Sequence, residues 1–171
     1  LERLKIIKRE YPITEPAKKK NFHYRVTDSY FRFWLSFVYP YQGRIEDNPD
    51  EILKKIKGEY KRYMGPVFEE VCRDHVLKNY DYEDVGRWWY KKDEIDIVAT
   101  NEQENRILFG ECKWSKNEVD FSDFNVLKER SEKVRWGDEQ RDEYFILFSK
   151  SGFTQKLEEE DKATLVGLED L

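Results

Sequence analysis

Apolar residues along this chain recur with two different periods, and the switches between them predict the order of its elements. Between Asp28 and Pro40, the aromatics Tyr30, Phe33, Trp34 and Phe37 fall at i, i+3, i+4 and i+7, the spacing of one helical face. Asp28 is placed to cap a helix over Ser29 to Tyr39, and Pro40 stops it. A longer helical region opens at Asn48 to Asp50, with Ile52, Leu53 and Ile56 on one face. Gly65-Pro66 punctuates it, and a proline in a first turn is expected to restart a helix through about Asn79. The period then changes. Tyr82 to Tyr90 and Glu94 to Ala99 read as strands, Thr100 to Asn105 as a hairpin loop, and Ile107 to Trp114 as a third strand. Phe124, Leu127 and Val134 return to helical spacing over Phe121 to Val134. Tyr144 to Phe148 is a continuous apolar run, as in a buried strand, and Ala163 to Val166 reads as a last short one.

The first 27 residues follow another pattern. Leu1, Leu4 and Ile7 are spaced to finish a helix, Lys8 to Ile13 is strand-like, Pro16 to Lys20 is a turn, and Phe22 to Val26 returns as a strand. A helix followed by such a hairpin is how a winged-helix module ends.

Composition narrows the function classes. With 171 residues, 39% of them hydrophobic, the chain can bury a sizeable core. No run of about 18 apolar residues occurs, and no apolar stretch follows the basic start as in a signal peptide, so a cytoplasmic location is expected. Two cysteines and two histidines, in no ligand spacing, provide neither a disulfide framework nor a zinc site. The chain starts at Leu1, its single methionine is Met64, and no phosphate-cradling G-x-x-x-x-G-K-[ST] loop is present. A piece of a longer polypeptide is therefore expected. The net charge of −5 is uneven: residues 1–40 hold nine Lys/Arg against four acids, so the remaining residues carry −10. Lys18, Lys19 and Lys20 are candidate nucleic-acid contacts on the basic end, with a solvated turn as the bland alternative.

The chemistry concentrates on two strands. In Gly110-Glu111-Cys112-Lys113-Trp114, alternation puts Glu111 and Lys113 on one face with Phe109 and turns Cys112 to the other. In Glu94-Ile95-Asp96-Ile97-Val98, Ile95 and Ile97 are expected to share a face, with Asp96 opposite. A hairpin joining the strands brings Asp96 beside Glu111. Two carboxylates at that closeness repel unless a cation or proton lies between them. Oxygen ligands of this kind suit Mg²⁺ or Mn²⁺, and a lysine beside them can orient water or offset developing charge. Glu69 is a third acid. It lies about 20° from Val76 on the helical wheel and flanks the apolar face of Phe68, Val71, Cys72 and Val76.

Glu69, Asp96 and Glu111-x-Lys113 on successive helix, strand and strand resemble the PD-(D/E)XK nuclease superfamily, although Ile95 stands where that name would place proline. More narrowly, Phe31-Arg32-Phe33-Trp34, Phe68-Glu69, Trp88-Trp89, Glu94 to Val98 and Glu111 to Trp114 resemble the C-terminal region of the archaeal ATPase family. The resemblance implies an α/β, restriction-endonuclease-like αβββαβ core with a mixed central sheet flanked by helices. It implies residues 1–27 as the end of a winged helix, 28–64 as a helical connector and 65–171 as the nuclease-like domain. Catalytic Glu69, Asp96, Glu111 and Lys113 are expected, with the three acids holding Mg²⁺ or Mn²⁺, DNA as partner, an ATPase module in the same polypeptide, and self-association. The alternative is a non-catalytic nucleic-acid-binding, regulatory or assembly domain of that ATPase. If residues 1–27 finish a DNA-binding module, their removal should weaken DNA binding and flatten its salt dependence in anisotropy titrations; an unchanged slope would assign their charge to solvent.

Overall fold

The computed structural model describes residues 1–15, 20–138 and 140–171. Its contacts divide the chain into two compact units, one of Leu1–Tyr11 with Ala17–Tyr63 and one of Pro12–Pro16 with Met64–Leu171. Among the described residues, no helix is long and apolar enough to cross a membrane.

The first unit opens with strands β1 (Ile7–Glu10) and β2 (His23–Val26), paired antiparallel from Ile7 opposite Val26 to Glu10 opposite His23. The helix expected before β1 does not form. Residues 2–5 make turns, Lys5 has φ of 55°, and Leu1 and Leu4 are exposed. An isolated turn of helix is unfavourable without a face to pack against. Of the expected lysine contacts, Lys18 and Lys19 lie outside the described residues, whereas Lys20 is exposed. Helix α1 (Ser29–Phe33) begins where expected, with the Asp28 carboxylate accepting from Phe31 N at 3.0 Å. It does not run straight to Tyr39. Trp34–Val38 widens into a π-turn and Tyr39–Tyr41 tightens into a 3₁₀ turn. A π-turn rotates the side chains after it off the α period. Phe37, within the π-turn, is buried against Phe33 and Tyr63, at 5.2 and 4.9 Å between ring centroids, and Tyr30, in α1 before it, is exposed.

Helix α2 (Pro49–Asn79) contributes its first turns to this unit and its later turns to the other. Pro49 opens it, and Pro66 lies in its interior without breaking it. Pro66 removes one intrahelical bond. The burial of Phe68, Cys72 and Val76 just beyond it keeps the following turns helical. Val71, expected on that face, is exposed.

The second unit is an α/β domain around a five-stranded mixed sheet of order β3-β4-β5-β6-β7. Strands β3 (Asp84–Tyr90), β4 (Asp93–Asn101) and β5 (Arg106–Lys113) form an antiparallel meander. Helix α3 (Phe121–Ser131) carries the chain back, so that β6 (Asp142–Ser149) runs parallel to β5. A short helix α4 (Gln155–Glu159), which the apolar pattern did not announce, leads into parallel β7 (Thr164–Val166). Alternation along β5 and β6 feeds two cores. Ile107, Phe109 and Leu147 pack with Phe124 and Leu127 of α3. Leu108, Ile146 and Phe148 pack on the other face with Phe68, Cys72 and Val76 of α2. Trp88 and Trp89 are buried. His75 packs its ring edge-on against Phe148, a structural use.

Gly110 lets the three central strands pack at this level. A Cβ there would lie 2.9 Å from Ile97 Cβ and 3.0 Å from Ile146 Cγ2, the branched roots of two buried side chains. Gly110→Ala is expected to cost about 1–3 kcal/mol through overpacking, measured by urea or thermal unfolding. A loss below a few tenths would mean that β4 and β6 part easily there.

Candidate active site

Strand β4 carries one residue more than β3 where the site forms. Trp88 pairs with Ile95 and Gly86 with Val98, so Arg87 alone faces Asp96 and Ile97. Such a bulge breaks the side-chain alternation. Ile95 and Ile97 consequently do not share a face: Ile95 joins the α3-side core and Ile97 the α2-side core. The β4–β5 ladder runs from Asn101 opposite Arg106 only as far as Ile97 opposite Gly110. Beyond it, the Asp96 side chain replaces backbone, its Oδ2 accepting from Cys112 N at 2.9 Å. On the helix side, Arg73 Nη1 donates to the Asp96 carbonyl at 2.9 Å and ties α2 to the bulge.

Glu69 and Glu111 flank Asp96 from two other elements. Glu69, on α2, has Arg73 Nη1 at 3.6 Å and Arg87 Nε at 3.8 Å from its Oε2. Arg87 also pairs with Glu94. Glu111 is 7% exposed; its Oε1 accepts from Lys113 Nζ at 2.8 Å, and Arg130 Nη1 of α3 lies 3.4 Å from its Oε2. Lys113 also reaches Asp123 Oδ1 at 3.3 Å. Asp123 belongs to the capping box of α3: its Oδ2 accepts from Asp120 N, while Asp120 Oδ1 accepts from Ser122 N and Asp123 N. The first turn of α3 is thereby fixed to the lysine. Cys112 turns the other way, as alternation requires, to meet the Cys72 thiol; burial and that neighbour push its own thiol well above the ordinary range.

The charges of this cluster are strongly coupled. Burial, then the negative charges of Glu111 and Glu69, push Asp96 from about 3.8 up to about 7, against the opposing pull of the Cys112 N–H and Arg87. Burial alone would lower Lys113, but Glu111 and Asp123 outweigh it and hold the ammonium above its ordinary value.

The structure thus puts Asp96 under the electrostatic influence of Glu69 and Glu111, and Lys113 onto Glu111, but the described residues contain no group of three or more His, Cys, Asp or Glu that could hold a metal ion. Lys20 is in the other unit. Sequence reasoning missed Arg73, Arg87, Asp123 and Arg130. Two of these had a signal: Arg73 stands four residues after Glu69, and Asp120 with Asp123 frames a helix start. Nothing in the local pattern singles out Arg87 or Arg130.

A mixed five-stranded sheet with helices on its faces, and a carboxylate–lysine cluster where β4 parts from β5, define an α/β domain of a specific kind. The chain belongs to the family DUF234, described as archaeal and bacterial proteins of unknown function, which it matches over residues 34–132. That stretch includes all four clustered residues. It is also similar to an uncharacterized protein of Methanocaldococcus jannaschii, MJECL04, at 32% identity over 132 residues, covering 73% of this chain. The chain spans 29% of the length of that relative. No solved structure matches it.

A carboxyl raised on folding binds its proton more tightly in the folded than in the unfolded chain. Its stabilising contribution is complete below about pH 3.8 and is lost as pH rises through about 7. In chelator-treated protein, the Asp96 contribution should therefore decline across this window, with an upper bound of about 1.4 kcal/mol per pH unit. Asp96→Asn, which keeps an acceptor for Cys112 N, should remove that decline in unfolding curves taken from pH 4 to 8. Parallel pH profiles for the two proteins would contradict the coupling.

Proposed function

We propose that this domain is a metal-dependent phosphodiester hydrolase of the PD-(D/E)XK type acting on DNA. The observation that carries the reading is the crowding of the Asp96 carboxyl, on β4, by the negative charges of Glu111 on β5 and Glu69 on α2, with Lys113 on Glu111. The donor set fits a hard divalent cation in kind, since its side-chain oxygens suit Mg²⁺ or Mn²⁺ and a double positive charge would offset the crowded negative ones. Asp96 and Glu111 would hold the ion, Glu69 would hold it or its water, and the ion would supply a lowered water pKa and charge on a phosphate oxygen. Lys113 is positioned by Glu111 and Asp123 to present its ammonium to the nucleophile or to developing charge. Arg130 neutralises the other Glu111 oxygen. The resemblance to archaeal ATPases adds an ATPase module in the same polypeptide, with cleavage as its partner activity.

A second reading, a non-catalytic nucleic-acid-binding or regulatory module, also draws on a specific observation. Glu111 is engaged by Lys113 and Arg130 and Glu69 by Arg73 and Arg87. The described residues contain no group of three or more His, Cys, Asp or Glu that could hold a metal ion. In that reading the cluster is a structural ion-pair network.

Metal binding and cleavage separate the two. Calorimetry with Mn²⁺ should detect a site that Asp96→Ala or Glu111→Ala abolishes. Lys113→Ala should keep the fold and metal binding, yet lower cleavage of branched, single-stranded or duplex DNA by about ten- to a hundredfold. Lys113→Arg should restore little, because a planar fork replaces a compact charge. Cleavage unchanged in Lys113→Ala would remove that residue from the site. Absence of both Mn²⁺ binding and cleavage in the parent would favour the ion-pair network.

A further inference from the structure

The parallel strands β5 and β6 end together, with Lys113 opposite Ser149, and their following loops are laced to one another. Lys150 N donates to Lys113 O at 3.1 Å, Ser151 Oγ to Ser115 O at 2.7 Å, and Val119 N to Gly152 O at 3.0 Å. Ser151 N donates back to the buried Ser149 hydroxyl at 3.2 Å, and Val119 bridges to Phe153. Gly152 makes the turn with φ of 84°, a conformation that favours glycine. These bonds fix the backbone of the two loops that carry Trp114 and Lys150. Trp114 points to the α2 face, where its ring packs on Phe68 at 5.3 Å between centroids, one residue from Glu69. The Lys150 ammonium lies over the Trp114 ring, 4.5 Å from its centre. A cation on an indole face is attracted by the ring quadrupole and so is held without a neutralising carboxylate. Lys150 and the neighbouring Lys116 are exposed, and neither has an acidic partner among the described residues. Lys113, on the opposite face of β5, is occupied by Glu111 and Asp123.

We propose that Trp114 and Lys150 form a phosphate contact for a nucleic-acid strand, with the indole holding the ammonium at the edge of the carboxylate cluster. The loops at the carboxyl ends of β5 and β6 offer two lysines without acidic partners among the described residues, Lys116 and Lys150, in a chain of net charge −5. Anions repelled by the rest of the surface have reason to settle there. The choice of a nucleic-acid backbone over another polyanion rests on the nuclease reading. Lys113 would act on the reacting group, whereas Lys150 would hold a phosphate on the α2 side of Asp96. An ammonium already restrained by an aromatic ring loses less freedom on binding than an unrestrained one.

The test is binding of a fluorescein-labelled oligonucleotide, single-stranded and duplex, followed by anisotropy in EDTA so that no cleavage occurs. Lys150→Ala should weaken binding roughly three- to tenfold and reduce the log–log salt slope by about one, with Lys150→Arg close to the parent. Trp114→Phe keeps an aromatic platform and should retain affinity. Trp114→Leu should lose affinity with the slope unchanged, because the charge remains but its anchor does not. Circular dichroism melting separates these effects from unfolding, and Lys150, being exposed, is a mild site. The inference is overturned if Lys150→Ala binds with parental affinity and slope, if the parent binds neither oligonucleotide, or if polyglutamate alone shows the Lys150 dependence. Cleavage that persists with binding indifferent to Lys150 would sink this inference and leave the nuclease reading standing. Binding through Lys150 without cleavage or Mn²⁺ binding would do the reverse.

Discussion

The N–H of Cys112 is a sheet donor whose backbone partner has moved away, and the carboxylate of Asp96 takes that partner's place. This substitution depends on the extra residue in β4. Without it Asp96 would project from a regular strand, and the β4–β5 ladder would continue past Ile97. With it, a carboxyl group is set into the plane of the sheet between a helix on one face and a helix on the other. Arg73 secures the arrangement from α2 through the Asp96 carbonyl. Gly110 secures it from β5, by leaving the space that Ile97 fills on the α2 side.

Placing one carboxyl there imposes a charge balance on its surroundings. Glu69 and Glu111 raise the negative density, and Arg73, Arg87, Arg130 and Lys113 answer it from α2, β3, α3 and β5. The four cations are divided among the outer carboxylates, whereas Asp96 is opposed by little more than one N–H and the distant pull of Arg87. Such asymmetry leaves the central group as the one whose charge state responds most to any added cation or anion.

The order of helix, three strands, helix and strand was legible because each element buries apolar residues at its own period. The closeness of Asp96 to Glu111 was legible because a short hairpin admits few registers. The bulge was not, since Ile95 and Ile97 alternate as a regular strand would, and only pairing with Arg87 reveals the extra residue. Gly65-Pro66 read as a break because local propensity opposes helix there, yet burial of Phe68, Cys72 and Val76 overrode it. The π-turn after Phe33 escaped notice for a similar reason, as ring packing around Phe37 and Tyr63 decides it. Arg87 and Arg130 were invisible because their relevance is created wholly by tertiary contacts.

Asp123 serves two masters, accepting from the backbone of Asp120 and holding the ammonium of Lys113. Unwinding of the first turn of α3 therefore takes one of the two carboxylates from the lysine and leaves it on Glu111 alone. The amide protons of Ser122 and Asp123, protected only while the turn is wound, act as a built-in clock for that event. Their hydrogen exchange would time the parting of Asp123 from an ammonium that has no exchange-protected proton of its own to watch.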